Sequence, residues 1–500
     1  MGIKAKELCG WCIVTLLSAG SLEASDRDVR LIQAVKDADK AAVRALLKQG
    51  ADANVREGDG ATALHWAAFR GDPETVDLLV GRGAAVNATN DLGVTPLWVA
   101  CGNGSVPVIT RLLKAGANPN AAPPTGGTPL MIASRTGNTE AVGLLLARGA
   151  DVNARETSRE QTALMWAVSQ QHADVVRVLL AHGADLHARS KTRRQFVLTC
   201  CPLFNGDLDG AVYADQGGFT PLLFAARQGD IDSARLLLDA GANVNEVLPD
   251  GTSALVLAAH SGNGTFAAFL LDHGADPNAD GGGYTALHAA VLRGDLALAK
   301  TLLAHRANPN ARLMNGTPSR RNTRDFAFDK VLIGATPFLL AAKYAQADLM
   351  RILAGSGADL SLTLTDGTTP LMAAVRQEEE RFGGTRPISS DADERERLAL
   401  EAAKVAVELG VDVNAVDDVG DTALHIAAFK RANRIIPFLV ERHATLDAMN
   451  EKGQTPLAMV TTNSQMAKRG GFVLNLRAND AAAVRTRETE ALLRKLGAKE

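Results

Sequence analysis

A chain of 500 residues with a formal charge of −3 has no excess of either sign to hold a nucleic acid or an anionic surface. That length ordinarily fills several domains, yet only 4 % of the residues are aromatic while 46 % are hydrophobic, which suits a core built largely from small and aliphatic side chains. The first residues, "MGIKAKELCGWCIVTLLSAGSLEAS", have a lysine-bearing start, an apolar stretch from Leu8 to about Leu17, and small residues beyond it. They read as a secretory signal peptide over 1–24, cleaved after Ala19, Gly20 or Ala24. The apolar stretch is shorter than the ~20 residues a spanning helix needs. The expectation is an exported chain, periplasmic or secreted, with no integral span after cleavage; an uncleaved N-terminal anchor is the alternative. Arg and Ala enrichment points to a GC-rich bacterial source.

Beyond the leader one phrase recurs. "GATALHWAAFRGDPETVDLLVGRGAAVNA" at 60–88 returns as "GGTPLMIASRTGNTEAVGLLLARGADVNA" at 126–154 and "GYTALHAAVLRGDLALAKTLLAHRANPNA" at 283–311. Its Thr stands at 62, 95, 128, 162, 220, 285, 336, 369, 422 and 455, with Ser253 in the same slot. Most intervals are 32 to 34 residues; those after Thr162, Thr285 and Thr369 are 58, 51 and 53, one period plus about twenty residues each. A fixed period of this size predicts a solenoid. The Thr caps a short helix, with Pro suited to its first turn. Ala67 and Ala68 allow close packing, and Gly71 supplies a left-handed stop. "PETVDLLVGRGA" predicts a second helix whose apolar face is Val76, Leu78, Leu79 and Val80, ended at Gly83. "AVNATNDLG" is a returning loop. One such pair buries its apolar face only against neighbours.

These residues closely resemble the ankyrin repeat over about 28 to 460. The resemblance implies an all-α solenoid of stacked helix-turn-helix units with inter-repeat loops, about twelve counting both ends. "VRLIQAVKDADKAAVRALLKQGADANV" is a degenerate capping repeat within 28–58; the array runs over 59–447; 448–500 is a closing repeat split by an insert, with "TRETEALLRKLG" at 485–496 as its second helix. Three inserts break the array at 190–218, 312–334 and 378–397; the last is mostly charge and is read as a solvated loop.

Catalytic and cofactor chemistry find little purchase. His65, His288 and His425 fill the "TALH" slot, where the resemblance implies a structural imidazole bonded to backbone. His182, His187, His273, His305 and His443 fall at or beyond second-helix ends, where free carbonyls wait. No HExxH, no zinc spacing of Cys and His, no phosphate loop and no nucleophile elbow occurs. The expectation is a non-enzymatic binding module without metal or cofactor. Cys101 sits at a core position. Cys200 and Cys201 are adjacent, with Cα atoms only ~3.8 Å apart, so a bridge between them would be strained and reducible; they are a candidate redox pair beside the reading as plain thiols.

The resemblance places partner binding on the concave side, through loop tips and the exposed end of each first helix. The two residues before each stop supply Phe69, Arg70, Arg135, Arg227, Arg293, Lys343, Tyr344, Arg376, Phe429 and Lys430 as candidates; seven of the twenty residues so placed are Arg or Lys, and none is acidic. That reads as a basic stripe with interleaved aromatics for an acidic protein partner, bordered by acidic tips at Asp59, Asp91, Asp250, Asp366, Asp418 and Glu451. The rival reading is a solvated face with binding elsewhere. "FVLTCCPLF" in the first insert is an apolar anchor for a partner or membrane, or else part of a hairpin folded onto the stack. An envelope adaptor held by its leader, and an inhibitor or immunity protein for one enzyme or toxin, are the alternative functions.

Overall fold

The computed structural model describes residues 26–198, 211–315, 330–376, 391–461 and 476–499. The leader, Cys200 and Cys201, the middle of the first insert and the greater part of the second and third lie outside those residues. The chain divides into two compact units, 1–193 with 217–243, and 194–216 with 244–500. Each is a stack of antiparallel helix pairs, first helices packed on first helices and second on second. The fold is an all-α repeat solenoid, as the period predicts; among the described residues the only strands are β1 (Arg193–Leu198) and β2 (Ala211–Gln216), paired in one two-stranded sheet.

The capping logic holds at residue level. Thr95 Oγ1 accepts from Trp98 N at 3.3 Å, Thr220 Oγ1 from Leu223 N at 3.3 Å, and Ser253 Oγ from Val256 N at 3.2 Å. The Ala63–Arg70 helix stops at Gly71, φ 66°, where Gly71 N donates to Ala68 O and Asp72 N to Ala67 O, both at 3.1 Å. Gln171, Ala345 and Arg431 occupy the same stop with φ of 62°, 54° and 58°. Ala67 and Ala68 are fully buried, which lets neighbouring helices approach closely. In the Pro73–Val80 helix, Val76 and Leu79 are fully buried while Leu78 and Val80 are half-buried. The expected four-residue face narrows to an i, i+3 pair because the helix is only two turns long and lies against one neighbour on each flank.

Two expectations are corrected. The third insert is helical in its last part: the Ala392–Glu408 helix begins inside the stretch read as a loop, capped by Asp391, which accepts from Asp393 N at 3.0 Å, and carrying Asp393 and Glu394 in its first turn. Asp391, Asp393 and Glu394 are helix-start chemistry. The closing helix is Leu476–Leu496, nine residues longer at its start than the sequence suggested. It docks through Thr486, Thr489 and Leu493, with Arg431 donating to Thr486 Oγ1 and Thr489 Oγ1 to Asn433 Oδ1, each at 2.7 Å. The neck of the second insert is closed by backbone: Leu313 N donates to Ala335 O at 2.9 Å and Gly334 N to Leu313 O at 2.7 Å.

Candidate partner-binding surface

Between the helix pairs, the returning loops form short hairpin fingers, marked by antiparallel bridges such as Arg56 with Thr62 and Val416 with Thr422. Successive tips are joined by single backbone bonds, Asp91 N to Asp59 O at 2.9 Å, Asp418 N to Asp366 O at 3.1 Å, and Glu451 N to Val419 O at 3.0 Å. Asp59 and Asp250 accept from the backbone two residues on, so these acids build their own turns.

The basic stripe has a different character from the one its sequence suggests. At the end of a first helix several carbonyls lack an intrahelical donor, and in this chain the following repeat supplies it. Arg70 donates to Lys36 O, Arg293 to His260 O, Asn103 to Ala68 O at 2.7 Å, and His172 shares a hydrogen with Arg135 O at 3.1 Å. Two further columns repeat the device. At second-helix ends Arg82 reaches Leu47 O and Arg148 reaches Leu113 O at 2.8 Å; at the fingers Arg56 reaches Thr89 O at 2.6 Å and Arg155 reaches Arg189 O at 2.9 Å. Arginine here acts as mortar between neighbouring repeats.

The ten candidates therefore separate. Arg70 and Arg293 are turned onto carbonyls. Arg376 is a correction: its guanidinium lies 3.6 Å from Asp366 and from Asp417 and donates to Thr368 Oγ1 at 3.2 Å, so two carboxylates neutralise it. Tyr344 is also corrected, being only 7 % exposed. In the first unit, Arg135 lies 5.3 Å from the Trp166 ring centre, Arg227 lies 4.8 Å from Phe219 and 5.1 Å from Phe224, and half-buried Phe69 meets Trp66 edge-on at 5.8 Å. In the second unit Lys430 and Phe429 stand exposed and Lys343 is half-buried.

The histidines of the "TALH" slot are structural. His65 Nδ1 accepts from Thr62 N at 3.2 Å while its other nitrogen faces Val94 O at 3.0 Å; His288 does the same with Thr285 N and Ala335 O, both at 3.2 Å, and His425 with Thr422 N and Gln454 O. Burial drives the His65 imidazolium pKa below its usual value and that of His288 down to about 4, so both are held neutral. His182, His273 and His305 turn Nδ1 back onto the carbonyl four residues earlier, at 2.8 to 2.9 Å, as expected of helix ends. Cys101 is fully buried, and burial raises its thiol far above the usual range. Among the described residues no group of three His, Cys, Asp or Glu is placed to hold a metal, and no helix is long and apolar enough to cross a membrane.

One framework element went unread in the sequence. An Asn in the returning loop clamps the next repeat twice: Asn153 Nδ2 donates to Gly183 O at 3.1 Å and its Oδ1 accepts from Asp185 N at 2.8 Å. Asn54, Asn87, Asn120, Asn278, Asn310 and Asn414 form the same clamp. Its recurrence in most periods was the available signal.

Comparison with known proteins agrees with this framework. Ankyrin-repeat family models match residues 31–123, 109–190 and 222–312 in one form and 399–440 in another. The Xenopus laevis neurogenic locus notch homolog protein 1 is 34 % identical over 142 residues, 25 % of this chain and 6 % of that protein. The Homo sapiens protein of that name is 32 % identical over 142 residues, 25 % of this chain and 5 % of its own length. The Arabidopsis thaliana E3 ubiquitin-protein ligase KEG is 26 % identical over 299 residues, 54 % of this chain and 17 % of the ligase. The match thus spans only a small part of these relatives.

Proposed function

Since the chain belongs to the ankyrin-repeat family, a family of protein-binding modules generally without enzymatic activity, we propose that it is an exported scaffold that holds an acidic protein partner on its inner helix ends. Export rests on the leader-like residues 1–24. The partner reading rests chiefly on Arg135 and Arg227. Both are cations stacked on aromatic rings, which orients their planar guanidinium groups for a partner's acids. Lys343 and Lys430 are the corresponding cations of the second unit. The inserts at 190–218 and 312–334 extend the contact, as additions that interrupt the regular repeat.

The test is affinity capture from an envelope extract with the mature chain and with Arg135→Glu/Arg227→Glu, after circular dichroism has established that both fold. A partner lost by the variant and by added salt supports the reading. Equal capture by both forms removes the inner face from it and transfers attention to the inserts.

A further inference from the structure

A cleft of about 430 Å³ opens in the first unit beside the second helices Ala173–Ala181 and Ile231–Asp239. That volume suits a small molecule. Ala173, Asp174 and Arg177 line it from one helix, Asp232 and Arg235 from the other, and His172 from the cap of the first. An earlier junction of the array shows what such a place can hold. Where the Lys40–Lys48 and Pro73–Val80 helices meet, Lys40 Nζ donates to Glu74 Oε2 at 2.8 Å and lies 3.3 Å from Asp72 Oδ1. Lys40 opens its helix, Asp72 caps the next one, and Glu74 stands two residues beyond that cap. At the cleft the same three places hold Ala173, Asp230 and Asp232. Both acids recur, and a methyl group stands where the lysine did.

The consequence falls on Asp230, which is 6 % exposed. It caps its helix as Asp72 does, accepting from Ser233 N at 3.1 Å where Asp72 accepts from Thr75 N at 3.3 Å. That shared cap aims the carboxylate at the preceding repeat, the side on which Ala173 lines the cleft. Asp72 Oδ2 also accepts from Thr75 Oγ1 at 2.8 Å, whereas Asp230 Oδ2 and Ser233 Oγ are buried without a hydrogen-bond partner among the described residues. A carboxylate oxygen so placed gains from an incoming N–H donor, most of all a charged one. The exposed walls are balanced, with the carboxylates of Asp174 and Asp232 against the guanidinium groups of Arg177 and Arg235. A ligand of one sign meets repulsion beside attraction there; a ligand carrying both signs can satisfy each. We propose that the cleft binds a small zwitterion of amino-acid size, its ammonium beside Asp230 and Asp232 in the place that Lys40 takes earlier in the array, and its carboxylate on Arg177. This site is built on the second helices and is independent of the inner helix ends.

The probes are the ω-amino acids from glycine to ε-aminocaproate, titrated into the full chain by calorimetry beside hexylamine and hexanoate, which carry one charge each. Saturable binding of at least one amino acid is expected, with hexylamine and hexanoate weaker by tenfold or more. Ala173→Lys supplies the ammonium from within the chain and is expected to abolish binding. Asp232→Asn and Arg177→Gln are each expected to weaken it tenfold or more, and circular dichroism matching the parent's shows that a variant folds. Should Ala173→Lys fail to fold, these two surface variants decide the matter. Absence of binding by every amino acid in the series overturns the proposal. So does equal binding of hexylamine or hexanoate, or binding by the folded variants equal to the parent's.

Discussion

The guanidinium of Arg376 lies 3.6 Å from the carboxylate of Asp417, a residue only 7 % exposed. Burial pushes the Asp417 carboxyl above its usual range, against the pull of Arg376 and of the Val419 and Asp421 amides that donate to it. In the same finger position Asn90 and Asn450 accept from two amides of their own turns with no charge at all. Arg376→Ala should therefore cost about 2 kcal/mol, the penalty of a buried charge left unpaired. Adding Asp417→Asn should restore most of it. Urea unfolding of the two single variants and the double variant measures the coupling.

The clamp at Asn153 gives a second expectation. Asn153→Ala removes a donor and an acceptor between neighbouring repeats and should destabilise by about 1–2 kcal/mol. Asn153→Asp keeps the acceptor for Asp185 N and should lose roughly half as much. Amide exchange at Asp185 should rise in the first variant and stay near the parent rate in the second.

Ala345 turns the chain with φ 54°, where most repeats use glycine. A left-handed alanine costs about 1–2 kcal/mol, partly offset by glycine's greater freedom when unfolded. Ala345→Gly should raise stability by about 0.5–1 kcal/mol, read from the urea midpoint.

His288 is fully buried and its pKa is lowered to about 4, chiefly by desolvation, from 6.5. The unfolded chain binds the extra proton first, so stability is complete above pH 6.5 and falls as pH drops toward 4. The loss attributable to His288 should reach about 2 kcal/mol at pH 5. His288→Asn should show a smaller drop between pH 7 and pH 5 than the parent in paired urea titrations.

The framework was legible because its signals are local. Thr62 and its counterparts cap a helix that begins at the next residue, and Gly71 stops one that ended just before it, so composition over ten residues carries the instruction. What the cations do was not legible. Arg70 sits on a helix end in the sequence, but its partner, Lys36 O, is 34 residues away in the preceding repeat. Arg376 likewise meets Asp417, which lies beyond the third insert in the sequence. Charge counted along a stripe cannot separate a guanidinium spent on a neighbour's carbonyl from one stacked on a ring, as Arg135 is on Trp166. Tyr344 falls in the same stripe by position, and only the packing around it shows that it is buried. The asparagine clamp was visible as a recurring letter, but its meaning needed the partner glycine of the next repeat.

The two backbone bonds at Leu313 and Gly334–Ala335 bring the ends of the second insert together. Whatever lies between them is attached like a graft on a closed stem. Changes of length there that spare the buried Leu332 should leave this stem, and the helices on either side of it, in place. Variation in such a lineage should therefore collect in that graft, and its ligands should diversify faster than its architecture.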